Sequence, residues 1–230
     1  MNNVLLQSAT FGLVLSILAY EVGMWLNRKF KLAILNPLLI SVIIVICILL
    51  GFHIDYDFYN ESARYLSFLL TPATVCLAIP LYQQIALLKE NLKAILVGVV
   101  AGVLASLGSV LGLSILFGLT HEEYITLLPK SITTAIGMGV SDELGGIVNI
   151  TVAVIVITGV LGNVIAETVC KLAKIEEPVA KGLAIGTAAH AIGTARAMEM
   201  GEIEGAMSSL AIVVSGLLTV VGASIFAGFY

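Results

Sequence analysis

The chain has 230 residues, of which 59% are hydrophobic and 11% are charged, and its formal net charge at pH 7 is −4. Because soluble domains carry about 25% charged residues, this composition excludes a soluble globular protein and predicts one that is solvated by lipid. No stretch of the chain is basic enough to bind a nucleic acid.

Eight apolar segments follow one another along the chain and predict an all-α fold: a polytopic transmembrane helical bundle that forms one domain over residues 1–230. A helix needs about 20 apolar residues to cross a bilayer. The first segment has no basic residue before it, so we expect a retained helix rather than a signal peptide. The segments are 4–26, 33–51, 63–86, 94–118, 124–141, 147–170, 178–198 and 206–229.

The second, third, fifth and seventh segments contain residues that interrupt a helix. Proline inside a helix removes a backbone hydrogen bond, and within a membrane the freed groups must face protein or water. We therefore expect these segments to lie at the packed centre or to line a cavity. The predicted helix breaks are Asn36, Pro37, Thr71, Pro72 and Pro129.

Lysine and arginine predict the orientation, because basic loops face the cytoplasm. If all eight segments crossed, the third basic cluster would lie opposite the first two. If segment 124–141 only dips in and returns, all three clusters are cytoplasmic and the acidic loops are external. We therefore predict about seven crossings plus one re-entrant or broken segment, with the N-terminus outside and the C-terminus in the cytoplasm. The basic residues are Arg28, Lys29, Lys31, Lys89, Lys93, Lys171, Lys174 and Lys181, and the acidic ones are Asp55, Asp57, Glu61, Glu122, Glu123, Glu199, Glu202 and Glu204.

Residues 33–118 and 147–230 resemble each other in one register, which superposes Gly102 on Gly216 and Gly108 on Gly222. A chance match between apolar helices is the alternative. With segment 124–141 re-entrant, the second repeat would be inverted relative to the first. Inverted repeats with discontinuous helices are typical of transporters.

Two cations, Lys130 and Arg196, lie inside apolar segments. A charge at membrane depth costs about 3 kcal/mol on insertion scales, so it usually faces a partner or an aqueous path. The alternative is that each side chain reaches the headgroups from near a segment end. Lys130 directly follows Pro129, where we expect the N-terminus of a helix.

Hydroxyl groups accompany both cations, and together with helix N-terminal N–H groups they suit a small carboxylate. In a regular helix Thr187, His190 and Thr194 share one face. Helix-to-helix packing is the alternative for the hydroxyls, and His190 is either a proton-coupling candidate or a neutral hydrogen-bonding partner. The substrate-binding residues predicted on this basis are Lys130, Ser131, Thr133, Thr134, Thr187, His190, Thr194 and Arg196.

The sequence gives little support for a catalytic, cofactor-binding or metal-binding function. It contains no nucleophile–base constellation, phosphate loop or metal-ligand spacing, so we expect neither an enzyme nor a cofactor or metal. Gly98, Gly102, Gly108 and Gly112 lie on one arc of the fourth segment, which permits close helix packing within the chain or in a homodimer.

Three stretches resemble signature sequences of the LrgB/CidB family: Leu127–Ile136, Gly145–Gly146 and Gly186–Arg196, and Gly205–Ala211 continues the match. The resemblance implies a bacterial inner-membrane protein that is antiholin-like or affects murein hydrolase export, with a small LrgA/CidA-type membrane partner. A plant relative is similar to a plastidial glycolate/glycerate translocator, which implies transport of small carboxylates, with pyruvate suggested for bacterial members. The family motifs match this chain at Lys130, Thr133, Thr134, His190, Gly193 and Thr194, and the resemblance thereby implies Gly193 as a further substrate-binding residue. Relatives frequently have proline at position 135 and lysine at 196, where this chain has Ala135 and Arg196.

Two functions therefore stand as hypotheses. The first is a secondary carrier of small monocarboxylates in the bilayer, with Lys130 and Arg196 neutralising the anion, His190 as the coupling candidate, and a dimer as the expected oligomer. The alternative is a holin- or antiholin-like protein that modulates murein hydrolase export and cell lysis. A cation/proton antiporter is disfavoured because the breaks hold cations rather than an acidic pair.

Overall fold

The computed structural model describes residues 10–30, 35–69, 72, 75–76 and 78–230, and every regular element in these ranges is an α-helix. The predicted all-α class is therefore confirmed. The chain forms two compact units, Met1–Cys76 and Leu77–Tyr230. A single domain over the whole chain stays a prediction, and each unit is described by itself.

The first unit contains α1 (Phe11–Phe30), α2 (Pro37–Gly51) and α3 (Tyr56–Phe68), and α1 packs against both of the others. The Asn36 side chain accepts hydrogen bonds from the backbone N–H groups at the start of α2, at 2.9 and 3.2 Å. Proline is tolerated at the first position of a helix, where its N–H would have no partner. The predicted break at Asn36 and Pro37 is thus a capped helix start.

The predicted segment 63–86 does not form one helix. After α3 ends, the second unit begins with two short helices, α4 (Ala78–Gln83) and α5 (Ile85–Glu90). Of the two breaks predicted here, Thr71 lies outside the described residues. Pro72 is described, but several of its neighbours are not.

Three helices among the described residues are long and apolar enough to cross a membrane: α6 (Leu92–Phe117), α9 (Val148–Leu172) and α11 (Glu202–Ala227). The predicted seven crossings are not confirmed by this number. Leu107 packs against Gly222, and further along both helices the Tyr230 hydroxyl donates to the Ser114 carbonyl. Helices α6 and α11 therefore run in the same direction.

This direction bears on the predicted repeat, since α6 belongs to residues 33–118 and α11 to residues 147–230. An inverted repeat requires its matched helices to run in opposite directions. The inversion gains no support from this pair and stays a prediction.

Residues 121–144 form a helical hairpin, called hairpin 1 below, from α7 (His121–Leu127) and α8 (Thr134–Leu144). Its arms return to the same end, because the Thr126 hydroxyl accepts a 2.8 Å hydrogen bond from the Ile147 backbone N–H. Thr151 then donates to the Thr126 carbonyl at 2.9 Å. The segment predicted to be re-entrant, 124–141, thus returns to the end from which it starts.

Residues 178–200 form a second hairpin, hairpin 2, because α10 (Pro178–Met200) is folded back at His190, which has φ 42° and ψ −140°. Gly186 packs against the backbone of Ser208, and Thr194 shares a 2.7 Å hydrogen bond with the Ser208 hydroxyl. In a straight helix Gly186 and Thr194 would be separated by about 12 Å along the axis. The two arms are therefore antiparallel.

Segment 178–198, which was predicted to be an interrupted crossing, therefore turns back at His190 to the end from which it starts. Lys181 from the first arm and Glu199 from the end of the second line one cavity together with Lys171. We call this the Lys171 end of the second unit; α11 starts there and runs to the opposite end, the Tyr230 end.

The fold-back also corrects the predicted orientation. The acidic residues that were expected on the face opposite Lys171, Lys174 and Lys181 lie at the same end as these lysines. A cytoplasmic Lys171 cluster and a cytoplasmic C-terminus consequently cannot both hold, because α11 leads from one end of the unit to the other. The acidic residues are Glu199, Glu202 and Glu204.

Candidate functional site

A cavity of about 880 Å³ lies between α6, α9 and the first arm of hairpin 2. Asn91 and Glu177, which precede α6 and α10, line it at the Lys171 end. Lys130 and Ser131, at the tip of hairpin 1, line it on the side of the Tyr230 end. Hairpin 1 thus carries a cation to the inner end of this cavity, called the Lys130 cavity below.

The local sequence explains why Lys130 sits at a hairpin tip. Pro129 cannot continue the hydrogen bonding of α7 because it has no N–H. The Lys130 N–H instead closes a turn on the Leu127 carbonyl at 3.2 Å, and the next helix starts only after Thr133. The helical hydrogen bonding of α7 thus ends at Pro129, where the sequence predicts a break.

The ammonium group of Lys130 is held by hydroxyls. Its Nζ donates to Ser131 Oγ at 2.9 Å and to Ser106 Oγ at 3.3 Å, and Ser106 Oγ donates to Ser131 Oγ at 3.1 Å. Among the described residues, no carboxylate forms an ion pair with Lys130. A poorly solvated cation with only neutral partners favours an anion as its next partner.

Thr187 lines the same cavity from the first arm of hairpin 2. Its side chain is 7% exposed, and within the described part of the chain its hydroxyl has no hydrogen-bond partner. An unsatisfied buried hydroxyl costs about 1–3 kcal/mol, so a ligand that pairs with it stabilises this arrangement. Of the predicted residues, the structure therefore brings Lys130, Ser131 and Thr187 together.

The other hydroxyl residues of the prediction lie outside the Lys130 cavity. Thr133 is the N-cap residue of α8, followed by Thr134, and neither lines the Lys130 cavity. Thr194 donates to the His190 carbonyl at 2.9 Å and shares a hydrogen bond with Ser208 in α11. These contacts support packing as the role of Thr194.

His190 and Gly193 lie at the tip of hairpin 2 and do not line the cavity either. The His190 ring packs against Gly159, and its Nε2 lies 3.1 Å from the Ile155 carbonyl oxygen. A side chain at position 193 would collide with that of Ala189, since the returning chain passes close to the first arm. The predicted shared face of Thr187, His190 and Thr194 does not exist, because the helix reverses at His190.

Arg196 is separated from Lys130 by the same reversal. The second arm of hairpin 2 carries Arg196 back toward the Lys171 end, where it forms ion pairs with Glu167 at 2.6 Å and Glu199 at 2.7 Å. Glu167 also pairs with Lys171 at 2.9 Å. These groups line a second cavity of about 450 Å³. Lys130 and Arg196 therefore do not share a binding site, and the Arg196 charge is balanced by carboxylates.

Ser106, Ser109 and Thr158 line the Lys130 cavity but were missing from the predicted site. They lie in regular apolar helices, where a single hydroxyl gives no signal of function. The packing of the helices brings these hydroxyl residues to the cavity. Ser106, near the middle of α6, meets Lys130 at the tip of hairpin 1. Within the described ranges, no three His, Cys, Asp or Glu side chains are grouped as metal ligands.

Comparison with known proteins gives a consistent match over most of the chain. The model of the LrgB-like family matches residues 16–229. The Antiholin-like protein LrgB of Bacillus mycoides (strain KBAB4) is 36% identical over 220 residues, which cover 95% of this chain and 96% of the relative. The proteins of the same name from Bacillus cereus (strain B4264) and Bacillus anthracis (strain CDC 684 / NRRL 3495) match to the same extent. No solved structure matches significantly.

Proposed function

The chain belongs to the LrgB-like family, and from this premise we propose that it is an antiholin-like membrane protein that modulates murein hydrolase export and cell lysis. The observation that carries the proposal is the full-length match to relatives named antiholin-like, 36% identical over 95% of this chain. The long apolar helices of the second unit suit action within the membrane. A small LrgA/CidA-type membrane protein is the proposed partner, and the bacterial inner membrane the proposed location.

A lysis assay tests this function. The protein is produced in a bacterium that lacks its own LrgB-type protein, a holin is induced, and the time to lysis and the murein hydrolase activity in the medium are measured. We expect later lysis and less released hydrolase activity. The control is Gly162→Leu at matched membrane abundance, because its side chain would collide with Ala189 in hairpin 2. An unchanged lysis time with the native chain would contradict the proposal.

A second candidate function, a carrier of small monocarboxylates, is favoured by the Lys130 cavity. The ammonium group, whose hydrogen-bond partners among the described residues are the Ser106 and Ser131 hydroxyls, would neutralise a carboxylate. Two hairpins that start from opposite ends of the unit provide the discontinuous elements that alternating-access carriers use around a central site. Proton coupling through His190 belongs to this proposal, although the ring is bonded to a backbone carbonyl.

Uptake into proteoliposomes tests the carrier function. Labelled glycolate, glycerate and pyruvate are supplied at two pH values, and we expect saturable uptake that falls at least about tenfold in Lys130→Met, as for a lost charge-assisted hydrogen bond. Lys93→Met is the matched control, because Lys93 is exposed and does not line the cavity. Non-saturable leakage that is equal in both variants would exclude a carrier and leave a pore.

A further inference from the structure

The Lys130 cavity changes in chemistry along its length. At its inner end lie Lys130, Ser106, Ser131 and Thr187. From there to the Lys171 end, α6 presents only Ala94, Gly98, Gly102 and Ala105. Apolar residues of α9 and α10, among them Leu161, Ile165, Leu183 and Ala184, complete this lining, which we call the apolar band.

The apolar band is much longer than a two- or three-carbon acid. From Ala94 to Ala105 it extends about 16 Å along α6, at 1.5 Å per helical residue. The cavity volume of about 880 Å³ lies near the upper limit for sites that hold drug-sized ligands, about 1,000 Å³. The small residues of α6 let the first arm of hairpin 2 pack close to it: a Cβ atom at Gly98 would touch Leu183 at 3.7 Å, and one at Gly102 would overlap Thr187.

The charges around the Lys130 cavity favour a ligand that carries a single negative charge. Lys130 is the one basic side chain among the described residues that line it. At the opposite end of the apolar band the lining includes the carboxylate of Glu177 beside Asn91. A second carboxylate at the far end of a ligand would approach Glu177, and like charges repel.

We propose that the Lys130 cavity binds monocarboxylates with an extended apolar chain, holding the carboxylate at Lys130 and the chain in the apolar band. Two independent features point to this ligand: the Lys130 cation, which forms no ion pair with the described residues, and the length of the apolar band. The proposal rests on the anion site of the carrier function and names the class of acid that fits it best.

The test is a chain-length series with the full-length protein in phospholipid nanodiscs. Binding of labelled butyrate, hexanoate and octanoate is measured, and empty nanodiscs correct for partition into lipid. We expect the affinity to rise about fourfold for each added CH₂, which corresponds to about 0.8 kcal/mol. Because phospholipid is present in every sample, occupation by a lipid headgroup would show as weak binding throughout and no chain-length dependence.

Variants and analogues locate the binding. Lys130→Met should abolish octanoate binding, whereas Lys93→Met should retain it. Ala184→Leu should stop the rise in affinity at a shorter chain, because the new side chain occupies part of the apolar band. Suberate, with a carboxylate at both ends, and octanol, with none, should not displace octanoate.

The outcomes separate this proposal from the function on which it rests. A flat series, or octanoate binding that survives in Lys130→Met, would overturn the proposal. If pyruvate or glycolate bound through Lys130 while the series stayed flat, the carrier function would stand and the chain-length proposal would fail. If no carboxylate bound, both would fail. Elution of each variant as one symmetrical peak shows that it has folded.

Discussion

The Nε2 atom of His190 lies 3.1 Å from the carbonyl oxygen of Ile155, and this contact joins the tip of hairpin 2 to α9. The Ile155 side chain packs on Gly137 in hairpin 1. The two hairpins start from opposite ends of the second unit, so their tips approach the same residue of α9. Ile155 therefore touches both hairpins, hairpin 2 through its carbonyl oxygen and hairpin 1 through its side chain.

His190 itself should be strained. Its backbone, with φ 42° and ψ −140°, lies in a region that L-residues rarely occupy, at a cost of about 1–3 kcal/mol. Both His190→Gly and His190→Ala lose the ring contact. The glycine variant releases the backbone strain, whereas the alanine variant retains it. We expect His190→Gly to be more stable than His190→Ala by about 1–3 kcal/mol. Thermal unfolding of both variants in the same detergent measures the difference.

The opposite order would contradict the hairpin. In a continuous helix glycine is less stable than alanine by about 0.5–1 kcal/mol, so His190→Ala would then be the more stable variant.

Close packing of hairpin 2 on α9 gives a second prediction. A Cβ atom at Gly162 would overlap the side chain of Ala189. Gly162→Ala should therefore lower the free energy of unfolding by about 1–3 kcal/mol, as overpacking does. Gly112→Ala in α6 is the matched control, because no atom lies within 4 Å of its new Cβ. Helix propensity should make this control neutral or more stable, and equal losses in both variants would argue against the contact.

The start of hairpin 1 should depend on pH. Thr120 and Glu123 form a capping box at the start of α7. The Thr120 backbone N–H and, to a smaller extent, the Thr120 hydroxyl donate hydrogen bonds to the Glu123 carboxylate, and these bonds lower the pKa of Glu123. Because the pKa of Glu123 is lowered in the folded state, its capping interaction contributes fully to stability at neutral pH. This contribution is lost as the pH falls through the folded-state pKa of Glu123. We expect hydrogen exchange in α7, corrected for intrinsic rates, to accelerate on acidification.

Thr120→Ala provides the check on that cause. It should already show faster exchange in α7 at neutral pH and should respond less to acidification than the native chain. An identical pH response in both proteins would assign the effect to another group.

Much of this arrangement could be predicted from the sequence. Composition determines the helical membrane class, since lipid leaves few other structures for so apolar a chain. Pro129 beside Lys130 indicates a helix break and a cation within an apolar segment, although not that the hairpin turns there. Thr187 is predicted for its hydroxyl, which is buried and has no hydrogen-bond partner among the described residues.

The reversal at His190 could not be predicted. The segment has no proline within the turn, and its apolar pattern is the same for a straight helix and for two short antiparallel arms. The chain reverses at this one residue. The reversal determines where Arg196 lies and at which end of the unit α11 starts. Ser106 was missed for a related reason, because its proximity to Lys130 depends on how hairpin 1 meets α6 and not on its neighbours in sequence.

Sided cysteine labelling tests the two-hairpin architecture most directly. Glu122→Cys, Glu177→Cys and Glu199→Cys are made singly in a chain with its three native cysteines replaced by serine. Each is exposed to a membrane-impermeant maleimide in intact cells and in inverted vesicles. The structure predicts that positions 177 and 199 react in the same preparation and position 122 in the other. Reaction of positions 177 and 199 in opposite preparations would show that α10 crosses the membrane and would contradict hairpin 2.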